Sequence, residues 1–227
     1  MMNKKDIDYK KVIVEKPWGH EYLIYDNGLV GIWYLHINQG DKTSMHCHPR
    51  KKTGLILLRG EAVLSFFNDS TTLKPLNKMM IREGLFHSTC ATAPQGADIL
   101  EVETPCNKGN LVRFDDEYGR EDKPYEGRES YKERTSECLY IENPQEGKSD
   151  HYKHCGYKMS CEKVSGIAQL SSRANEEIII VLSGGLLSKS REPVLKGGDV
   201  VSSDTLRRLS ERFTLLDNLS ILTLHQS

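Results

Sequence analysis

The chain has 227 residues, and its 31 Lys and Arg nearly balance its 32 Asp and Glu, for a formal net charge of −1. This length allows one large domain or two small ones, and the balanced charge argues against a nucleic-acid-binding protein with a clustered basic face. No apolar run approaches the roughly 20 residues of a membrane-spanning helix, and no apolar segment follows the basic start MMNKKDIDYKK, so we expect a cytoplasmic protein without nucleic-acid or membrane partners.

Residues 12–114 consist of short apolar segments separated by turns. The segments are rich in Val, Ile, Leu, Tyr and Phe, and turn formers such as Asp26-Asn27-Gly28 stand between them. No window shows the i, i+3, i+4, i+7 spacing of an amphipathic helix. The pattern predicts an all-β sandwich or barrel, with strands at 20–26, 30–38, 43–48, 54–67, 79–82, 86–91 and 99–104.

The rest of the chain has two parts. The first is dense in Glu, Lys, Arg, Pro and Gly, and such a composition favours an extended connector or arm. Strand signals return at 177–182, 199–202, 213–216 and 219–224. We therefore expect a barrel at 1–120, a charged connector at 121–150, and a smaller β domain at 151–227. The six cysteines include no CxxC pair, which indicates free thiols.

The candidate metal ligands are three histidines in the first part. Alternate residues of a strand share a face, so His46 and His48 point the same way as Ser44, while Cys47 points to the other side and packs in the core. His87 follows a Gly84 turn and can complete the site. Three imidazoles suit one divalent metal ion such as Zn, Mn, Ni or Fe, and they leave coordination positions open for water or substrate.

These residues stand in a recognisable order. The pattern Gly40-x5-His46-x-His48, Gly60, Gly84-x2-His87 resembles the two motifs of the cupin superfamily. The flanking KPWG at 16–19 and LVRFDDEYGR at 111–120 resemble the mannose-6-phosphate isomerase type II cupins, often fused to mannose-1-phosphate guanylyltransferases. The resemblance covers residues 14–120. It implies a double-stranded β-helix (jelly-roll) barrel with a metal inside, a sugar phosphate or nucleotide sugar as ligand, and a homodimer.

The chain departs from this branch at the metal site. Thr53 stands where the usual Glu ligand is expected, and His46 stands where the isomerases typically have Gln. Threonine is a poor ligand, and loss of a carboxylate raises the effective charge of the metal and the acidity of its water. These substitutions argue against mannose-6-phosphate isomerisation itself.

Further candidates surround the histidines. Glu101 and Glu103 share a strand face, and either is a candidate general base if desolvated, or a solvent-facing residue if not. We take Glu101 as the catalytic candidate. Arg113 and Arg120 suit bidentate phosphate contact, or pair with Asp115 and Asp116. The resemblance implies a substrate-side role for Arg120, which we count as both a catalytic and a substrate-binding candidate, with Ser44 and Arg113 as further substrate-binding candidates.

The second half carries a weaker signal. Glu177 and Gly184 echo a cupin motif, but no HxH precedes them. A degenerate, metal-free cupin with a structural or dimerisation role is one interpretation of this unit. The loose set His151, His154, Cys155 and Cys161 fits no zinc template.

Three functions follow as hypotheses. The first is a metal-dependent isomerase or epimerase acting on a sugar phosphate or nucleotide-linked sugar in surface-polysaccharide precursor synthesis. The second is a non-catalytic sugar-binding or regulatory cupin. The third is a three-histidine iron dioxygenase, because cupins that lack the Glu ligand include oxygenases. Fold alone does not decide among them.

Overall fold

The computed structural model describes residues 7–226, apart from the side chains of residues 217 and 218. Its first twelve strands are β1 (Val12–Lys16), β2 (Gly19–Asp26), β3 (Gly31–Ile37), β4 (Met45–Cys47), β5 (Lys52–Gly60), β6 (Ala62–Ser65), β7 (Ser70–Leu73), β8 (Lys78–Ile81), β9 (Ser88–Ala91), β10 (Ala97–Thr104), β11 (Val112–Asp115) and β12 (Tyr131–Glu133). The later elements are β13 (Ser149–His154), β14 (Tyr157–Lys163), α1 (Ile167–Ser171), β15 (Ile178–Leu187), β16 (Pro193–Lys196), β17 (Val200–Ser202), α2 (Ser203–Ser210) and β18 (Thr214–Gln226).

Strands β3 to β10 form a two-layered barrel. One layer runs β3-β10-β5-β8 within a seven-stranded sheet of order β12-β1-β2-β3-β10-β5-β8. The other runs β9-β6-β7, and β4 joins it through the bridges Lys42↔Cys90 and His46↔His87. Apart from the hairpin β6–β7, successive strands therefore cross between the layers in the order of a jelly roll. The predicted all-β, double-stranded β-helix fold is confirmed.

Strand alternation explains the apolar run at 54–58. Leu55 and Leu57 point into the barrel, where they pack with Trp33. Ile56 and Leu58 point to the opposite face and belong to a second core cluster. Because both faces of β5 are buried, the strand is apolar throughout instead of alternating with polar residues.

The second half forms one antiparallel sheet of order β13-β14-β18-β15-β16, with β17 also paired to β15. One face packs on the barrel, since Ile180 and Leu222 share a cluster with Ile56. The other face packs with α1 and α2 through Leu170 and Leu206. The expected second β unit is present. Its relation to a cupin and the boundaries at 120 and 150 stay predictions. No helix within residues 7–226 is long and apolar enough to cross a membrane.

The charged connector lies against the barrel along much of its length. Its strand β12 pairs with β1. The Arg134 guanidinium donates to the carbonyl of Leu23 at 2.8 Å, and Ile141 is fully buried. A few well-placed residues therefore hold this segment, although its composition is mostly polar.

Candidate metal centre

The structure brings the three predicted histidines together. His46 lies on β4 and His87 immediately precedes β9, and the two backbones pair by reciprocal hydrogen bonds: His46 N–H donates to His87 O at 3.0 Å and His87 N–H donates to His46 O at 2.8 Å. One ring nitrogen from each of His46, His48 and His87 lies within 4.8 Å of the other two. His48 and His87 are buried and His46 is partly buried.

Hydrogen bonds to backbone carbonyls set the tautomer of each ring. Nδ1 of His46 donates to Ser44 O at 2.7 Å, Nδ1 of His48 to Asn110 O at 2.7 Å, and Nδ1 of His87 to Leu85 O at 2.9 Å. A carbonyl only accepts, so Nδ1 carries the proton and Nε2 keeps its lone pair. Nε2 of His48 is buried with no protein partner. Such carbonyl-oriented imidazoles are typical of metal ligands, and the three residues fit a divalent metal ion.

The environment keeps the rings neutral. Burial lowers the pKa of His46, His48 and His87, and for His48 it lowers the pKa to about 3, with the Lys51 ammonium adding to the effect. Neutral imidazole is the form that binds metal ions, so the cluster needs no deprotonation near neutral pH.

A buried carboxylate stands beside the cluster. Glu101 lies on β10, and its Oε1 is 3.9 Å from Nε2 of His48. The Lys108 ammonium lies 3.4 Å from the other oxygen of Glu101, 3.1 Å from Glu103 Oε1 and 3.2 Å from Glu21 Oε1. Burial alone would lower the pKa of Lys108, but the three carboxylates outweigh it and hold that pKa well above its usual range.

A second ionic group surrounds Glu126. Arg120 donates to Glu126 Oε1 at 2.6 Å and to both oxygens of Asp116 at 2.6 and 2.9 Å. Nη2 of Arg113 lies 3.6 Å from the same Glu126 oxygen, and the Lys16 ammonium contacts the other one. The pairing predicted between Arg120 and Asp116 is present, whereas the carboxylate beside Arg113 comes from Glu126.

The two groups line one cavity of about 70 Å³. Among the predicted residues, all but His87 line it: Ser44, His46, His48, Glu101, Arg113 and Arg120. Ser44 Oγ lies 3.4 Å from Nδ1 of His46. The residues are thus brought together, and their roles in catalysis and substrate binding stay predictions. Cys47 is buried, as predicted, and does not line the cavity.

Glu103, the other candidate base, also lines the cavity. The sequence does not predict the remaining lining residues: Lys16, Trp18, Glu21, Leu35, Thr43, Lys51, Lys108, Leu111, Tyr125 and Glu126. Lys16 stands in the KPWG motif, and that motif was the only signal for it. Lys108 and Glu126 come from a loop and from the connector, where nothing in the local pattern marks a buried charge. In the second half, His154 contacts the hydroxyl of Tyr22 at 3.2 Å. Within residues 7–226, the three-histidine cluster is the one potential metal-binding group, so the loose His and Cys set of the second half does not form another.

Comparison with solved structures finds double-stranded β-helix proteins. An uncharacterized conserved protein with a double-stranded β-helix domain from Klebsiella pneumoniae is 16% identical over 48% of this chain and 88% of its own, with a TM-score of 0.38. A putative sugar phosphate isomerase from Acidithiobacillus ferrooxidans is 18% identical over 39% and 62%, with a TM-score of 0.35. A cupin-2 domain containing protein from Shewanella frigidimarina is 15% identical over 37% and 78%, with a TM-score of 0.33.

The double-stranded β-helix fold of the barrel is established by its own strand order. Comparisons with models of known families and with curated proteins find no match. The narrower resemblance to the mannose-6-phosphate isomerase type II branch stays a prediction.

Proposed function

We propose that the protein is a metal-dependent isomerase or epimerase of a sugar phosphate or nucleotide-linked sugar, in surface-polysaccharide precursor synthesis. One observation carries the proposal: a buried carboxylate, Glu101, lies 3.9 Å from the unpartnered nitrogen of His48 in the three-histidine cluster. Proton transfer next to a carbonyl needs a base beside an electrophile, and this pair supplies both when a metal is bound.

The chain's own residues divide the work. A divalent ion on His46, His48 and His87 would act as a Lewis acid toward a carbonyl or hydroxyl oxygen of the substrate. In the isomerase case, Glu101 takes a proton from the carbon next to the substrate carbonyl and returns it to the carbonyl carbon, while the hydroxyl proton of the first carbon moves to the former carbonyl oxygen. In the epimerase case, the proton delivered to the opposite face comes from water or from a second acid on that face, because one fixed carboxylate reaches one face only. Lys108, 3.4 Å from the Oε2 of Glu101, holds that oxygen and leaves Oε1 toward the histidines. Lys108 is therefore a positioning residue.

A second candidate, the three-histidine iron dioxygenase, rests on one observation. Thr53 is fully buried, and its hydroxyl has no hydrogen-bond partner. The position of the usual carboxylate ligand therefore offers no charge, and the donor set is entirely imidazole. This donor set also suits iron.

The test is solvent deuterium exchange. Metal-free protein is loaded with Zn, Mn, Ni or Fe and incubated in D₂O with a panel of sugar phosphates and nucleotide sugars, and deuterium at carbon is measured by mass spectrometry. We expect incorporation with at least one substrate, a fall of roughly 10²–10⁴-fold in Glu101→Gln, and full metal content in that variant. His87→Ala is expected to lose the metal, while the exposed His151→Ala keeps it.

The outcomes separate the hypotheses. Loss of metal from Glu101→Gln would make Glu101 a ligand instead of a base. Substrate-dependent oxygen uptake by the ferrous protein, without deuterium incorporation, would favour the dioxygenase. Tight sugar binding with neither reaction would leave the non-catalytic alternative and refute the isomerase.

A further inference from the structure

Three buried cations converge on the carboxylate of Glu126. The side chains of Lys16 and Arg113 are each 4% exposed, that of Arg120 is 11% exposed, and that of Glu126 is 7% exposed. Arg120 Nη1 donates to Glu126 at 2.6 Å and Arg113 Nη2 lies at 3.6 Å, while Lys16 contacts the second oxygen. Arg120 also binds Asp116, whereas Nε of Arg113 is buried without a partner. The cluster therefore has more donors than one carboxylate uses.

The charge of the cavity depends on Glu126. Five cationic and four acidic side chains line the cavity, and Asp116 beside Arg120 makes the count five against five. Without Glu126 the excess is one positive charge, and a divalent metal on the histidines would raise it to three. A phosphate group presents three strong acceptor oxygens, so it offers the three cations one more acceptor than the two oxygens of the Glu126 carboxylate.

The size of the cavity also points to Glu126. The cavity at the histidines measures about 70 Å³, far below the roughly 300–1,000 Å³ of small-molecule sites. A second cavity of about 520 Å³ lies beside it, and Arg120, Tyr125 and Glu126 line both. Residues 121–127 therefore separate the two spaces, and a sugar phosphate fits only if Tyr125 and Glu126 move aside.

The contacts of this segment are suited to such a movement. Gly119, just before its start, has a φ of 67°, in the left-handed region that favours glycine. Several of its attachments to the cavity run through the same cations: Arg113 Nη1 donates to Lys123 O at 2.6 Å and Pro124 O at 3.2 Å, and Lys16 lies 3.8 Å from the centre of the Tyr125 ring. A ligand that takes over Lys16 and Arg113 therefore also weakens these attachments of the segment. The Tyr125 hydroxyl also donates to Glu21, and a ligand has to break this hydrogen bond as well.

We infer that Lys16, Arg113 and Arg120 form a phosphate subsite that the chain's own Glu126 occupies, and that a phosphate-bearing ligand enters by displacing Glu126 and Tyr125. Residues 121–127 thus act as a self-inhibiting latch, while Arg120 stays paired with Asp116. Only the identity of the sugar attached to that phosphate rests on the proposed function. The inference needs neither the metal nor turnover for the subsite itself.

The test uses the metal-free full chain and inorganic phosphate as the probe, by titration calorimetry. Glu126→Gln removes the competing charge, so we expect it to bind phosphate at least 10-fold more tightly than the parent. Glu129→Gln changes the same charge at an exposed position of the same region, and its affinity is expected to stay within 2-fold of the parent. Adding Lys16→Met to Glu126→Gln should abolish the gain. Equal affinity of Glu126→Gln and Glu129→Gln would overturn the inference.

A second measurement needs no variant. Phosphate should speed amide hydrogen exchange in residues 121–130 of the parent, because it releases the segment; unchanged or slower exchange would contradict the latch even if Glu126→Gln failed to fold. The two proposals fail separately. Phosphate binding without deuterium incorporation into any sugar refutes the isomerase alone, and incorporation with unchanged phosphate affinity in Glu126→Gln refutes the subsite alone.

Discussion

Lys108 is the residue on which the buried charges of the cavity depend most. Its ammonium lies within 3.4 Å of an oxygen of each of Glu21, Glu101 and Glu103 and 3.9 Å from the centre of the Trp33 ring. A buried charge is tolerated only when paired, and removing one partner leaves the others uncompensated. The network therefore holds Glu101 beside the histidines and makes stability depend on the ionisation of Glu21.

Glu21 makes that dependence measurable. Burial alone would raise its pKa, but Lys108 and Lys16 outweigh burial and lower the pKa of Glu21 to about 2, from an ordinary value of 4.5. Above pH 4.5 the carboxylate is charged in both states, and its contribution to folding is fully present. As the pH falls from 4.5 toward 2, the unfolded chain takes up a proton that the native state does not, so the contribution is lost.

We therefore predict that the difference in unfolding free energy between the parent and Glu21→Gln shrinks by roughly 3 kcal/mol between pH 5 and pH 2. Urea unfolding at several pH values in this range measures it. Glu15→Gln is the control, since Glu15 pairs with Lys132 where both side chains are exposed, and its difference should stay nearly flat. A Glu21→Gln difference that does not vary with pH would contradict the prediction.

At the level of single residues, the sequence predicts the direction of a side chain where the alternation of a strand determines it. Strand alternation places His46 and His48 on one face and Cys47 elsewhere, and the structure agrees. It does not predict Lys108 or Glu126, because their burial depends on which distant strand or loop folds over them. Glu126 in particular stands in a segment whose composition is typical of a solvated arm.

The connector shows how little apolar surface can fix an element. Ile141 is fully buried in the same cluster as Ile24, and its N–H donates to Ile24 O at 2.8 Å. Strand β12 of the connector extends the barrel sheet by pairing with β1. Since Tyr125 and Glu126 precede β12, this docking determines where they reach the cavity.

We predict that Ile141→Ala lowers the unfolding free energy by roughly 2–5 kcal/mol, because it leaves a cavity in a shared core. Ile167→Ala is the matched control, because Ile167 is 41% exposed at the start of α1, and its effect should stay within about 0.5 kcal/mol. Urea unfolding measures both. Equal effects of the two substitutions would show that the connector contributes nothing to the core.

The sequence predicts a strand correctly where the burial of that strand in the fold matches its local pattern of apolar residues. The seven predicted segments of residues 20–104 all contain strands, although 54–67 contains two, β5 and β6. Among the strands that the sequence does not predict, β7, β11 and β12 are short and contain many polar residues, because an edge position needs no apolar alternation. The helices α1 and α2 have five and eight residues, too short for a clear helical period.

At the scale of the molecule, one cluster joins the barrel to the second sheet. Ile56, Leu100 and Val102 of the barrel pack with Ile180 and Leu222. The Tyr157 hydroxyl donates to Leu58 O at 2.7 Å, and a Cβ on Gly198 would lie 1.7 Å from Thr104 Oγ1, so the two surfaces meet closely. Because this interface is apolar, unfolding of one half would expose core residues of the other half to water, which is unfavourable.

The two halves should therefore unfold together. The chain's tryptophans, Trp18 and Trp33, both lie in the barrel core, so their fluorescence reports on the barrel, while far-ultraviolet circular dichroism reports on all strands. Leu222→Ala, in the second sheet, is expected to lower the unfolding free energy by roughly 2–5 kcal/mol. The urea midpoints of both signals should therefore fall by the same amount. Leu216→Ala, at an exposed position of the same strand, should move neither. If the halves were independent, Leu222→Ala would leave the fluorescence transition unchanged and split the dichroism transition in two, because the barrel would keep its core without the second sheet.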